Sequence, residues 1–144
     1  MTEPTADLAR FLTAQEPVYT TVLQELRAGR KRTHWMWFVF PQVAGLGHSF
    51  MATRYGIQDL AHARAYLHHP VLGARLQECT RLMNAIEGKS AHDILGDPDE
   101  TKFRSSMTLF KHAGTTGGVF AAALDKYFAG EEDALTLARL GLAR

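Results

Sequence analysis

Arg30-Lys31-Arg32-Thr33-His34-Trp35-Met36-Trp37-Phe38-Val39-Phe40-Pro41-Gln42 is the stretch on which the reading of this chain turns. Three cations and a histidine run directly into an apolar segment that holds both tryptophans of the chain, and a proline and an amide close it. A core segment alone does not need the cations, and an anion site alone does not need the aromatics. The combination predicts a buried wall with a positively charged rim. Its local conformation is open at this level. Trp35, Trp37 and Val39 alternate with Met36, Phe38 and Phe40, so a strand is apolar on both faces, and a short buried helix fits equally well. Pro41 ends either one.

Working outward, the flanks read as helices. Leu8, Phe11 and Leu12 have helical spacing, with Thr5 or Asp7 as the cap. Pro17 reads as the first position of a second helix, whose stripe is Tyr19, Val22, Leu23 and Leu26 and whose stop is Gly29. Arg27, Arg30, Lys31 and Arg32 at that end complement the helix dipole, which is the plain alternative to a binding role for some of them. Gly45-Leu46-Gly47-His48-Ser49 reads as a loop and lacks the phosphate-loop pattern. Asp59 caps a helix carrying Leu60, Ala63 and Leu67, which His69-Pro70 breaks. Leu72, Leu76, Cys79, Met83 and Ile86 form the next stripe, ended by Gly88. Ser90 and Asp93 start a short helix stopped at Gly96. Asp97-Pro98-Asp99-Glu100 starts another, with the proline at its first position and Phe103, Met107 and Phe110 on its stripe. Gly114-Thr115-Thr116-Gly117-Gly118 reads as a loop between helices. Phe120, Leu124 and Tyr127 follow, closed by Gly130, and Leu135, Leu137 and Leu140 make a last short helix. The result is a single all-α domain over residues 1–144 with six or seven helices and one short buried aromatic segment, helical or extended.

Composition sets limits on function. A chain of 144 residues with 46% hydrophobic and 22% charged residues can bury a real core. A formal net charge of +1 argues against general nucleic-acid binding. The single cysteine, Cys79, cannot form an internal disulfide. No apolar run approaches a membrane span, and the first residues lack the pattern of a signal peptide, so the expectation is a cytoplasmic protein without a membrane partner. Oligomeric state and cofactor are not legible.

Several pieces together resemble a bacterial domain of unknown function, family 1810, whose members often carry the label calpastatin. They are Arg10-Phe11 with Ala14-Gln15-Glu16, the stretch from Gly29 to Gln42, Gly45-Leu46-Gly47, Tyr66 to Gly73, and Lys102 to Phe110. Thr33 stands where many members have serine. The resemblance implies a mainly helical fold and carries over no catalytic residue or cofactor. The chain has neither the length nor the disordered composition expected of calpastatin.

The candidate chemistry begins at the opening stretch. Trp35 or Trp37 would stack on a planar group while Arg30, Lys31, Arg32 and His34 hold phosphate or carboxylate, with Gln42 beside them. The competing reading puts the tryptophans in the core and the cations on a helix end. Lys102, Ser105 and Ser106 share a helical face and offer a second wall. Hydroxyls holding phosphate are preferred there over a lysine-activated serine nucleophile. His34 borders the aromatic wall and is the candidate general acid or base. A hydrogen-bonded histidine at an element end is its structural alternative. The seven histidines show no metal-ligand spacing, so no metal site is expected. Cys79 lies on an apolar stripe as an inert thiol. Gln15, Gln42 and Tyr19 are polar partners either of the cleft or of buried backbone. The favoured function is binding of a small, anionic, planar, nucleotide-like ligand. Whether the chain also acts on it is open at this level, and if it is an enzyme the reaction class is hydrolysis or transfer at a phosphate or N-glycosidic bond. The alternative is a protein-interaction module with exposed aromatic and arginine hot spots.

Overall fold

The structure is a computed structural model and describes residues 4–114 and 118–142, with side chains from Leu8 onward. Ten helices occur among the described residues: α1 (Pro4–Gln15), α2 (Tyr19–Arg27), α3 (Met36–Val39), α4 (Phe50–Arg54), α5 (Leu60–His68), α6 (Leu72–Ala85), α7 (Ala91–Leu95), α8 (Asp99–Ala113), α9 (Gly118–Phe128) and α10 (Ala134–Arg139). There is no strand among these residues, only an isolated parallel bridge between Val43 and Ile57. The all-α reading holds, but six or seven helices was too few. The four residues of α3 are too short to show a period, and α4 has no buried residue, so neither leaves a stripe in the sequence.

Helix α8 is the axis of the fold. Phe103, every residue from Ser105 to Phe110, and Ala113 are buried, because α5, α7, α9 and α10 all pack around it. Helix α6 lies against α2, α5 and α9 and contributes Leu72, Leu76, Cys79 and Met83 to the core. Gly73 in its first turn is a packing requirement. A Cβ there would sit 2.0 Å from the Leu67 carbonyl oxygen, so only glycine lets α5 and α6 meet this closely. Aromatic edges knit the layers. Phe40 meets Phe103 edge-on at 4.9 Å, and Phe11 meets Tyr66 edge-on at 5.2 Å.

The ambiguous segment is helical. The Val39 amide donates to the Trp35 carbonyl at 3.2 Å and the Phe40 amide to the Met36 carbonyl at 3.1 Å. A helix this short leaves terminal carbonyls without internal partners. The buried carbonyl of Phe38 accepts instead from Gln15 Nε2 at 2.7 Å. Gln15 therefore serves the backbone of α3. Tyr19, likewise, faces α6, where its hydroxyl donates to Glu78 at 2.5 Å. Cys79 is fully buried beside it, and burial pushes its thiol up to about 12.

Several boundaries differ from expectation. Pro17 lies in the turn between α1 and α2, with Val18 as the cap of α2, because the Glu16 and Val18 amides still bond back to Leu12 and Gln15. Pro98 occupies the cap position of α8, one residue before the helix begins. Helix α6 stops at Ala85, short of Gly88. Leu135 projects outward at 67% exposure, and the buried residue of α10 is Thr136. The Ser90–Asp93 capping box and the Asp59 cap form as read. The expected caps Thr5 and Asp7 lie outside the residues with described side chains, and Thr115 to Gly117 of the glycine-rich loop lie outside the described residues.

Candidate functional site

The basic–aromatic stretch is shaped by two carboxylates. The first is Glu25, near the end of α2 and buried. Its Oε1 accepts from the Arg32 amide at 2.8 Å, the Thr33 amide at 3.1 Å and the Trp35 indole N–H at 2.9 Å. Its Oε2 accepts from the Thr33 hydroxyl at 2.7 Å. Burial pushes this carboxyl up, but the bonds donated by Arg32, Thr33 and Trp35 outweigh it and leave Glu25 below the ordinary carboxylate range. The second is Asp99, in the first turn of α8. Lys31 Nζ lies 2.8 Å from its Oδ2, and Lys102 Nζ lies 3.8 Å from its Oδ1. Asp99 thus joins the opening stretch to α8.

The helical turn of α3 then separates the two tryptophans. Trp35 is the cap residue just before α3, with a non-helical backbone, and Trp37 lies inside its single turn. Trp35 is buried, with Lys31 Nζ 5.2 Å from its ring centroid. Trp37 stays half-buried, and Lys102 Nζ lies 5.0 Å from its ring centroid. Gln42 and Ala44, on either side of Val43, are held by the isolated bridge: the Ile57 amide donates to the Gln42 carbonyl at 2.9 Å and the Ala44 amide to the Ile57 carbonyl at 2.8 Å.

Beside Trp37 and Lys102 lies a groove of about 340 Å³. One wall is Gln42, Leu46, Gly47, His48, Ser49 and Ala52. The other is Pro98, Thr101, Lys102 and Ser105 from α8 and its approach. Asp133 and Leu135 close an end. A narrow notch lined by Trp37, Gln42, Leu46, Gly47 and Ala52 shares four residues with the groove, so Trp37 adjoins the same space. The end piece is firmly placed. Arg104 donates to the carbonyls of Glu131 and Glu132, each at 3.1 Å, and the Asp133 amide donates to the Thr108 hydroxyl at 2.9 Å. Glu132 also takes Lys111 and His112. Burial raises the Glu132 carboxyl, but its bonds and charge contacts with His112 and Lys111 bring it below the ordinary range. Across the top, Arg139 Nε donates to the Ala44 carbonyl at 3.2 Å. Gly45 is left-handed at φ +96° and packs under that guanidinium, where a Cβ would fall 2.3 Å from Arg139 Nη2.

Of the residues singled out from sequence, the fold brings Trp37, Gln42, Lys102 and Ser105 together. Arg30, Arg32 and His34 are exposed and line neither the groove nor the notch. Lys31 and Trp35 line neither cavity either: Trp35 is buried and the Lys31 side chain is nearly enclosed. Ser106 is fully buried, and its hydroxyl has no hydrogen-bond partner among the described residues. Sequence reading missed Glu25, Asp133, Leu135 and Thr101. Thr101 lies in the first turn of a helix whose Lys102 was named. Glu25 lies only seven to ten residues before its partners but reads in sequence as an ordinary helix carboxylate, and Asp133 comes from a distant segment with no local signal. Among the described residues there is no group of three or more His, Cys, Asp or Glu side chains suited to a metal ion, and no helix long and apolar enough to cross a membrane.

The helical architecture and this chain's sequence define a family of proteins of unknown function. The chain belongs to that family, DUF1810, whose model matches residues 5–140. It is similar to the conserved hypothetical protein Rv1873 from Mycobacterium tuberculosis, known from a crystal structure at 1.38 Å. The two are 56% identical with a TM-score of 0.93, over 94% of this chain and 96% of that one. A comparison with curated proteins found no match.

Proposed function

We propose that the groove between α8 and the Gln42–Ala52 segment binds a small ligand with a planar part and one anionic group. The observation that carries this reading is the meeting of Trp37 and Lys102 at 5.0 Å beside the open groove. A half-buried indole offers a stacking face and the ammonium a charge partner, on a scaffold where both are fixed. The charge balance narrows the ligand. Asp99 is shared by Lys31 and Lys102, so this corner carries one net positive charge. Asp133 adds a negative charge at the far end. A nucleotide-like monoanion or a mixed phosphodiester fits that balance better than a highly charged polyphosphate. Thr101, Ser105 and Gln42 supply hydroxyl and amide partners.

Binding is supported more directly than catalysis. The Ser105 hydroxyl donates to the Thr101 carbonyl at 3.2 Å, an arrangement that holds the side chain rather than activating it. His34 is exposed away from the groove, so hydrolysis or transfer would have to use Lys102, Asp133 or His48.

Thermal denaturation with a panel of nucleotides, dinucleotides and sugar phosphates tests the reading. A ligand at ~100 times its dissociation constant stabilises the native state by ~2.7 kcal/mol. The stabilisation is expected to vanish in Trp37→Ala and Lys102→Ala while His34→Ala keeps it. Silence across the panel, or a hit retained by both groove variants, overturns the proposal.

A further inference from the structure

On the other side of α4 lies a second concavity, separate from the groove at Lys102. It measures about 640 Å³ and is lined by Ala9, Arg10 and Thr13 of α1 and by Phe50, Thr53 and Arg54 of α4. The spacing of these residues is regular. Arg10 and Thr13 are three apart on α1, and Phe50, Thr53 and Arg54 are three and four apart on α4, so each helix turns one face toward the gap. Each face supplies one guanidinium and one hydroxyl.

Three features of these walls bear on recognition. Neither guanidinium has a carboxylate within ion-pair distance among the described residues, whereas Arg75 pairs with Glu16 at 2.7 Å and Arg104 with Glu131 at 3.7 Å. The guanidiniums are instead held by neutral groups. Arg10 Nη1 donates to the Arg54 carbonyl at 2.9 Å, and Arg54 Nε donates to the Tyr55 hydroxyl at 3.4 Å with its Cζ 5.6 Å from that ring. Phe50 is 75% exposed, the most exposed large hydrophobic side chain described. Helix α4 has no fully buried residue and packs on the core through the partly buried Met51, while Phe50 is presented to solvent.

Exposed arginine beside an exposed aromatic ring is the composition of a protein-binding hot spot. We propose that the cleft between α1 and α4 docks an acidic peptide segment of a partner protein. Arg10 and Arg54 pair with its carboxylates, and Phe50 packs against an apolar side chain between them. Charge complementarity selects this occupant. Two cations that form no ion pair among the described residues face one open gap, and guanidinium forks match carboxylates. Thr13 and Thr53 add hydroxyl donors along the same path.

The test is fluorescence polarisation with a short labelled peptide of alternating glutamate and leucine. A glutamine–leucine peptide of the same length is the control, and phosphatidylglycerol–phosphatidylcholine vesicles form a third arm. The acidic peptide is expected to bind the full chain about tenfold more tightly than the amide control, and more weakly as salt is raised. Arg10→Glu with Arg54→Glu should weaken it by about tenfold, and Phe50→Ala by about fivefold. The guanidiniums and the Phe50 ring lie at the surface, so circular dichroism should show these variants folded. Trp37→Ala should leave peptide binding unchanged, which keeps this test independent of the ligand groove. Equal binding of both peptides, no loss on charge reversal, or preference for the vesicles overturns the proposal.

Discussion

Trp35 and Trp37 are two residues apart, chemically identical and each accompanied by a lysine, yet they do different work. Trp35 is enclosed, its indole N–H committed to Glu25 and its face covered by Lys31. Trp37 keeps part of its surface beside a groove, under a lysine that itself lines that groove. The start of α3, which falls between them, and two carboxylates produce the difference. Residue type therefore does not assign a role in this segment, and the partners delivered by other elements do. Replacing each tryptophan in turn is the most forceful way to break the comparison. Trp35→Ala should cost about 3–5 kcal/mol, the range for removing a buried large aromatic. Trp37→Ala should cost about 1 kcal/mol or less, in keeping with a half-exposed site. Urea denaturation measures both. Similar losses at the two positions would show that the indoles share one structural role, and the groove reading would fall with them.

Glu25 sharpens the same contrast, since only Trp35 depends on it. Glu25→Ala leaves three N–H donors and a hydroxyl to find new partners at a buried site and should cost about 2–3 kcal/mol. The pH dependence has a definite sign. A carboxyl held below its unfolded value of about 4.3 stabilises the fold fully above that value, and the stabilisation disappears as pH falls through the lower folded value. The stability gap between wild type and Glu25→Gln should therefore be constant near neutrality and shrink below about pH 4.5. A gap that widens in acid would mean that Glu25 is held protonated.

The lysines form the next rung. Lys31 is nearly enclosed, at 7% side-chain exposure, and its ion pair with Asp99 is the tighter of the two. Lys31→Ala should cost about 2 kcal/mol by leaving Asp99 half-paired. Lys102→Ala should change stability by about 0.5 kcal/mol or less, because its contact with Asp99 is longer and more open. Its larger effect is expected on ligand binding. Equal stability losses would place both lysines in the structural frame.

How much of this was legible in the sequence depends on how local the determinant is. The capping box at Ser90, the Asp59 cap and the break at His69-Pro70 are decided by neighbours within four residues, and they form as read. The stripes of α6 and α8 were legible because a period runs through them. Helix α4 was not, since five residues that meet the core through Met51 alone are too few to show an apolar period. The site was legible in part. Trp37, Gln42, Lys102 and Ser105 were named from composition and spacing, but so were Arg30, Arg32 and His34, which point elsewhere. What separates the two sets is the path of the chain after Gly29, fixed by a carboxylate at Glu25 and another at Asp99. Asp99 comes from a distant segment, and Glu25, only seven to ten residues before its partners, reads in sequence as an ordinary charged residue of an amphipathic helix, so neither announces its partnership.

The smallest expected effect tests the same principle on a second pair of neighbours. Ser105 and Ser106 are adjacent on α8 and were read from sequence as equivalent. Ser105 lines the groove and its hydroxyl is already committed to the Thr101 carbonyl, while the Ser106 hydroxyl is buried without a partner among the described residues. A buried hydroxyl that makes no bond destabilises the fold that contains it. Ser106→Ala should therefore be neutral or raise stability by about 0.5 kcal/mol, because it removes a desolvated polar group and leaves only a small void. Ser105→Ala should lower stability by no more than about 0.5 kcal/mol, since a serine bond to the carbonyl four residues back adds little to a helix. Its consequence should instead be seen in ligand affinity. Thermal denaturation of the two variants side by side is sufficient. A loss above about 1 kcal/mol for Ser106→Ala would show that its hydroxyl is bonded in solution. It would also move that position from the apolar core into a polar network that reaches the groove.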